Sequence, residues 1–256
     1  MEPGRLDGVG VLVTRPARQA GAFAQKLAVL GANPVIFPAI AILPPVDPAP
    51  LARAHAALDR YDFAVFVSAS AVEFGAPDAQ RWPPSVIALA PGPGTAEALA
   101  AVGIAGARIP ETTFDSEGLL ALPELAAPRD KRFVIFRGDG GREELADTLR
   151  ARGATVDYVA CYRRAVPASG AGGLAEAFRD GRIDAVTMTS SEGLDNLWAL
   201  CDEWTHERWR ARVTFAPHPR IAAHARELGL AVIETAGGDA GLIAGLLEWN
   251  ATTREP

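Results

Sequence analysis

The feature that most constrains this chain is an internal repeat at constant offset. The stretch GVLVTRPARQAGAFAQKLAVLGANPVIFPAIAI (10–42) aligns without gaps on RFVIFRGDGGREELADTLRARGATVDYVACYRR (132–164). Arg15 falls on Arg137, Leu27 on Leu149 and Gly31 on Gly153, each 122 positions apart. The same offset carries Asp62 onto Asp184 and Ser68 onto Ser190. After a small insertion, PGPGTAEALAAVGI aligns with PHPRIAAHARELGL, setting Thr95 opposite Ile221 and Gly103 opposite Gly229. Two copies of one supersecondary pattern must therefore be accommodated.

Within the first copy, apolar runs at 10–14, 34–42, 62–67, 86–90 and 106–109 alternate with amphipathic stretches near 17–30, 49–59, 70–76, 94–102 and 116–125. Strands alternating with helices predict a parallel sheet covered on both faces. Gly31, Gly103, Gly153 and Gly229 each fall just past a helical stretch, where a left-handed residue closes the last turn. Asp115 or Ser116 is placed to cap the last helix of the copy. The expected fold is α/β, with two similar flavodoxin-like parallel-sheet domains. One segment sits oddly in this pattern: TVDYVACYRRAVP starts as a strand, then carries Tyr162, Arg163 and Arg164 and stops at Pro167.

With 256 residues, 49% of them hydrophobic and 22% charged, the chain can build two ordinary cores. A net charge of −6 argues against nucleic-acid or anionic-membrane partners, which require a basic face. No apolar run approaches the roughly 18 residues of a membrane span, and MEPGRLDGVG lacks a signal peptide's apolar centre. A cytoplasmic protein is expected. Cys161 and Cys201 form no metal or redox spacing and read as packing residues. None of the four histidines is paired at metal spacing. Gly92-x-Gly94 lacks the third glycine of a dinucleotide loop, and with Lys26 and Lys131 the only lysines, a lysine phosphate anchor is not expected. Neither metal nor cofactor is implied.

Ligands of open parallel sheets bind beyond the strands' carboxyl ends, where helix N-termini present free N–H groups and a positive dipole. The residues at those mouths are Thr14–Arg15, Ser68–Ala69–Ser70, PGPGT ending at Thr95, and ETTFDS in the first copy. The second copy supplies RGDGGR (Arg137, Gly138 and Arg142), Thr189–Ser190–Ser191, PHPRI and AGGD. Hydroxyls, glycines and scattered arginines suit carboxylates or phosphates. A serine at such a junction is also simply a helix cap, and His218 after its strand reads equally as a solvated or capping group.

In order and spacing, VLVTRP, FVSASAVEFG, PGPGTAEALAAVGI, PETTFDSEGLL, the 133–164 stretch, TMTSSEGLDNL and FAPHPRIAAHARELGL resemble the uroporphyrinogen-III synthase family over about residues 8–248. The resemblance implies a monomeric, cofactor-independent, cytoplasmic lyase that cyclises hydroxymethylbilane to uroporphyrinogen III, losing water and inverting ring D. It implies residues 1–37 plus 168–256 as one domain and 45–158 as the other. Segments 38–44 and 159–167 would form an interdomain two-stranded ladder, with the N-terminal segment crossing to the C-terminal domain. Tyr162 would then face the cleft between domains and assist loss of the substrate hydroxyl. In the first copy Ile40 stands opposite it. Ser68, Thr95 and Ser190 fall on substrate-binding positions, with Arg15, Arg137, Gly138 and Arg142 as further placements. A transient hand-over from hydroxymethylbilane synthase is the implied protein contact.

Two residues depart from the family pattern. Ile221 stands where many members have a threonine, so His218 or Arg220 would have to compensate, and Ser70 stands where some have an arginine. The competing expectation is a non-enzymatic two-domain module that binds a tetrapyrrole or small anion.

Overall fold

The computed structural model describes residues 6–141, 143–168 and 170–253. The strands are β1 (Gly10–Val13), β2 (Asn33–Ile36), β3 (Ala41–Leu43), β4 (Phe63–Phe66), β5 (Ile87–Leu89), β6 (Arg132–Gly138), β7 (Thr155–Ala165), β8 (Ala185–Thr187), β9 (Val213–Ala216) and β10 (Ala231–Glu234). In the first half the helices are α1 (Ala17–Val29), α2 (Ala49–Ala56), α3 (Ala69–Gly75), α4 (Pro93–Ala101), α5 (Ser116–Leu120) and α6 (Pro123–Ala126). The second half adds α7 (Glu144–Ala151), α8 (Gly172–Arg179), α9 (Ser191–Leu200), α10 (Glu203–Arg210), α11 (Pro219–Glu227) and α12 (Gly238–Thr253).

The chain divides into two compact units, unit 1 running to Ala41 and resuming at Ala165, and unit 2 spanning Ile42–Arg164. Unit 1 holds a sheet of order β10-β9-β8-β1-β2, with every pair parallel. Unit 2 is built on β3-β7-β6-β4-β5, where β7-β6, β6-β4 and β4-β5 are parallel. Each sheet therefore combines the opening β-α-β of one repeat copy with later strands of the other. The two equivalent aspartates mark this exchange. Asp184 accepts the Gly10 N–H at the start of β1 at 2.8 Å, and Asp62 accepts the Arg132 N–H at the start of β6 at 2.9 Å.

The central strands are buried because helices cover both faces. In unit 2 one face packs Ala64, Phe66, Val134, Phe136 and Val159, and the other packs Phe63, Val65, Phe133, Ile135 and Val156. Parallel register places Phe63 beside Phe133 and Phe66 beside Phe136, and each pair stacks with ring centroids 4.7 Å apart. Such pairs contribute roughly 0.5–1.5 kcal/mol beyond their buried area. In unit 1, α1 buries Ala20, Phe23, Ala24 and Leu27, the i, i+3, i+4, i+7 stripe of a helix with one apolar face. Gly31 follows with φ 88°, and Gly103, Gly153 and Gly229 take the same left-handed conformation, as their placement predicts.

Three local expectations are corrected. The apolar run 34–42 is two strands, interrupted at Phe37–Ile40 and belonging to different sheets. Residues 106–109 make only one isolated bridge, Arg108 to Leu89, where the second copy has the full strand β10. The stretch 116–125 is two short helices, because Pro123 starts a new one.

Candidate functional site

At the carboxyl end of β4, Ser68 is extended (φ −166°, ψ 166°) and caps α3, its Oγ accepting the Ala71 N–H at 3.1 Å. The cap directs the hydroxyl inward, where it lies 3.4 Å from the Tyr162 hydroxyl. Tyr162 is only 3% exposed, and its ring faces Phe74 at 6.3 Å. The capping role read from the sequence and the proximity to Tyr162 thus belong to one hydroxyl.

Next to this pair, β6 ends in Arg137 and Gly138 and runs into the glycine-rich loop to Gly141. Arg137 is almost fully buried. Its guanidinium stacks 4.5 Å from the Tyr158 ring centroid and donates to Glu143 at 3.1 Å. Burial, and then the Glu143 charge, push the Tyr158 hydroxyl's pKa up, against the opposing influence of Arg137 and Arg150. A cavity of about 400 Å³ opens here, walled by Tyr162, Gly138, Arg137, Tyr158, Arg164 and Phe114. A second hollow of about 500 Å³ shares Arg137 and the glycine loop. The first cavity combines aromatic walls with arginine heads, a chemistry suited to an aromatic ligand carrying carboxylates, whereas the second is also lined by Asp47, Asp139 and Glu143. Phe114 stays 55% exposed at the rim. Gly92 makes room for it, since a Cβ there would stand 3.0 Å from the Phe114 Cβ. Asp115, next in the chain, caps α5 by accepting the Gly118 N–H at 2.9 Å.

The remaining unit 2 candidates are as buried as Arg137. Thr95 and Ser70 are each 8% exposed, in the first turns of α4 and α3. Arg142 lies outside the described residues.

Unit 1 repeats part of this arrangement. Ser190 caps α9, accepting the Gly193 N–H at 3.0 Å, as Ser68 caps α3. Arg15, the equivalent of Arg137, stacks 4.5 Å from the Phe23 ring centroid and pairs with Asp239 on α12, which also binds Lys26. Burial alone would raise the Asp239 carboxyl, but hydrogen bonds from Lys26 and Arg15, reinforced by their charges, hold its pKa below the usual aspartate value. Thr14 turns into the sheet and donates to Thr187 O at 2.7 Å. His218 is exposed and caps α11, its Nδ1 accepting the Arg220 N–H at 3.1 Å, while the Arg220 side chain is exposed. Ile221 packs into the core beside Ala222 and Ala225. His224 sits on α11 between Asp195 and Glu227, whose hydrogen bonds raise its pKa.

Tyr158 and Glu143 around Arg137 were not singled out from the sequence, and Asp239, the last residue of the AGGD mouth, was not read as the partner of Arg15. The alternation of TVDYV places Tyr158 on the same face as Val156, toward the cavity, and was the available signal. The Arg15–Asp239 pair spans 224 positions and leaves no local trace. Among the described residues no group of three or more His, Cys, Asp or Glu side chains could hold a metal ion, and no helix is long and apolar enough to cross a membrane.

Residues 21–239 match the family model described as uroporphyrinogen-III synthase HemD. A uroporphyrinogen-III synthase of Salmonella typhimurium is 37% identical over 242 residues, covering 91% of this chain and 98% of that one. The Escherichia coli K12 protein of the same name is 35% identical over 244 residues, with the same two coverages. Among solved structures, the fold is similar to uroporphyrinogen-III synthetase from Helicobacter pylori, with TM-score 0.59 and 13% identity over 97% of this chain and 100% of that one. It is also similar to a mutant uroporphyrinogen III synthase from Thermus thermophilus, with TM-score 0.58 and 21% identity over the same shares.

Proposed function

The chain belongs to the uroporphyrinogen-III synthase family, and from that premise we propose that it is a hydro-lyase closing hydroxymethylbilane into uroporphyrinogen III with inversion of ring D. The observation that carries the residue-level reading is the buried Tyr162 hydroxyl, 3.4 Å from Ser68 Oγ, in the wall of a cavity that Arg137 and Arg164 also line.

The chemistry follows from the substrate. Electron release from a pyrrole nitrogen expels the hydroxymethyl oxygen, leaving an azafulvene. The terminal ring at the far end attacks that carbon through its substituted position, and the spiro intermediate fragments and recloses inverted. The oxygen departs as water, so a donor must meet it. Tyr162 fills that role, donating a hydrogen bond to the departing oxygen while Ser68 holds the phenol's direction. The larger task is conformational. The bilane also cyclises unaided to the uninverted isomer, so the protein must hold the substituted carbon nearest the reacting methylene.

Within unit 2 the carboxylate contacts are assigned to Arg137 and to the mouth containing Ser68, Ser70 and Thr95. Unit 1 offers Arg15, the α9 N-terminus at Ser190, and His218 with Arg220. Oriented N–H groups at helix starts let an acidic protein hold anions with few lysines. Segments 38–44 and 159–167 are assigned as the paired connections between the units. The chain acts as a cytoplasmic monomer, receiving its substrate from hydroxymethylbilane synthase. The test is to generate hydroxymethylbilane in situ, add the chain without metal or nucleotide, oxidise the products and separate the isomers. Isomer III in excess of a chain-free control supports the reading, and isomer I alone from folded protein refutes it.

A further inference from the structure

We infer that Gly138 is a positioning residue for Tyr162, an inference that rests on the proposed role of that tyrosine. The pairing of β6 with β7 is regular from Arg132↔Thr155 to Arg137↔Ala160 and then skips one residue, so that Gly138 faces Tyr162. Cys161 is the extra residue of this bulge. Side chains of a regular strand alternate between faces. Val156 packs on one face and Val159 and Cys161 on the other, so an unbroken β7 would send Tyr162 to the Val156 side. With the bulge, Cys161 and Tyr162 share the core that contains Ala71, and the phenol reaches Ser68.

The bulge is held on both sides. The Cys161 thiol donates to Arg137 O at 3.3 Å, and the Asp139 N–H donates to Tyr162 O at 3.0 Å. A Cβ on Gly138 would stand 2.9 Å and 3.0 Å from two Tyr162 ring carbons and 3.3 Å from its hydroxyl. Gly138 does not have a positive φ, so space rather than backbone conformation requires glycine there. The ring is rigid, buried and faced by Phe74, so any side chain at 138 must move the phenol. The equivalent residues of the first copy are Pro16 and Ile40, so this arrangement belongs to one copy alone.

The test is a double-mutant cycle read in kcat, KM and isomer composition. Gly138→Ala should lower kcat about tenfold or more with KM within about twofold, and in a Tyr162→Phe background it should change kcat by less than about twofold. Full kcat in Gly138→Ala, beside a slow Tyr162→Phe, overturns the inference and leaves the tyrosine's role intact. Equal losses in both backgrounds overturn it too. Full rate in Tyr162→Phe removes the tyrosine's role and the inference with it. Should Gly138→Ala fold poorly, melting curves decide: because the clash is with the ring, Gly138→Ala should cost less than half as many degrees in a Tyr162→Ala background as in the wild type. An equal loss in both backgrounds rejects the inference.

Discussion

The Tyr162 hydroxyl lies 3.4 Å from Ser68 Oγ, and that serine oxygen also accepts the Ala71 N–H in the first turn of α3. On the proposed reading, stability and catalysis meet in one serine. Ser68→Ala removes a helix cap, worth about 1 kcal/mol, and a neutral hydrogen bond of roughly similar size. Urea unfolding should show a loss of about 1–2 kcal/mol. The kcat of the variant should fall as well, because the phenol loses its partner; unchanged kcat would separate Ser68 from the reaction.

Ser190 allows the two roles of a capping serine to be separated. Aspartate caps as well as serine, so Ser190→Asp should unfold within about 0.5 kcal/mol of wild type. If a substrate carboxylate approaches the start of α9, the added negative charge should raise KM several-fold. An unchanged KM would show that Ser190 only caps.

The Arg15–Asp239–Lys26 cluster predicts a pH signature. The Asp239 pKa is depressed in the folded chain, so its contribution is present above the ordinary aspartate value of about 3.9 and is lost as pH falls through the folded value. Asp239→Asn should lower the urea midpoint at neutral pH, and the gap to wild type should close on acidification below the ordinary aspartate range. A gap independent of pH would mean the carboxylate charge contributes nothing.

Both thiols should be inert in the native protein. Burial pushes Cys161 up to about 12 despite backbone hydrogen bonds that favour its thiolate, and burial together with the Asp202 charge pushes Cys201 up to about 12. Since the thiolate is the nucleophile, an aromatic disulfide reagent at pH 8 should label neither at an appreciable rate until urea is added. Rapid labelling of the folded chain would contradict this burial.

Much of the fold was legible because its determinants are local. The helix-closing glycines, the apolar runs of β1, β4 and β6, and the caps at Ser68, Asp115 and Ser190 follow from backbone sterics and from N–H groups at helix starts. The repeat extended these readings to the second copy. Less legible were features that depend on distant partners. Nothing near Gly10 shows that its strand is capped by Asp184, and Arg15 meets Asp239 only after the chain has returned. The bulge at Cys161 was visible only as an irregular ending, since one extra residue changes which face Tyr162 occupies without altering composition. The first copy's last strand was overread because the apolar run at 106–109 is followed by a proline and forms one bridge. The family match favours the enzyme over the non-catalytic binding module.

The most direct measurement follows isomer III formation by the wild-type chain and by Tyr162→Phe side by side, with hydroxymethylbilane generated in situ. The wild type should give isomer III in clear excess over the chain-free control. Tyr162→Phe should give the same isomer about a hundredfold more slowly, the low end of the effect of a positioned acid, with KM little changed. Isomer I alone from the wild type would contradict the assigned reaction, and an undiminished rate in Tyr162→Phe would contradict the assigned residue.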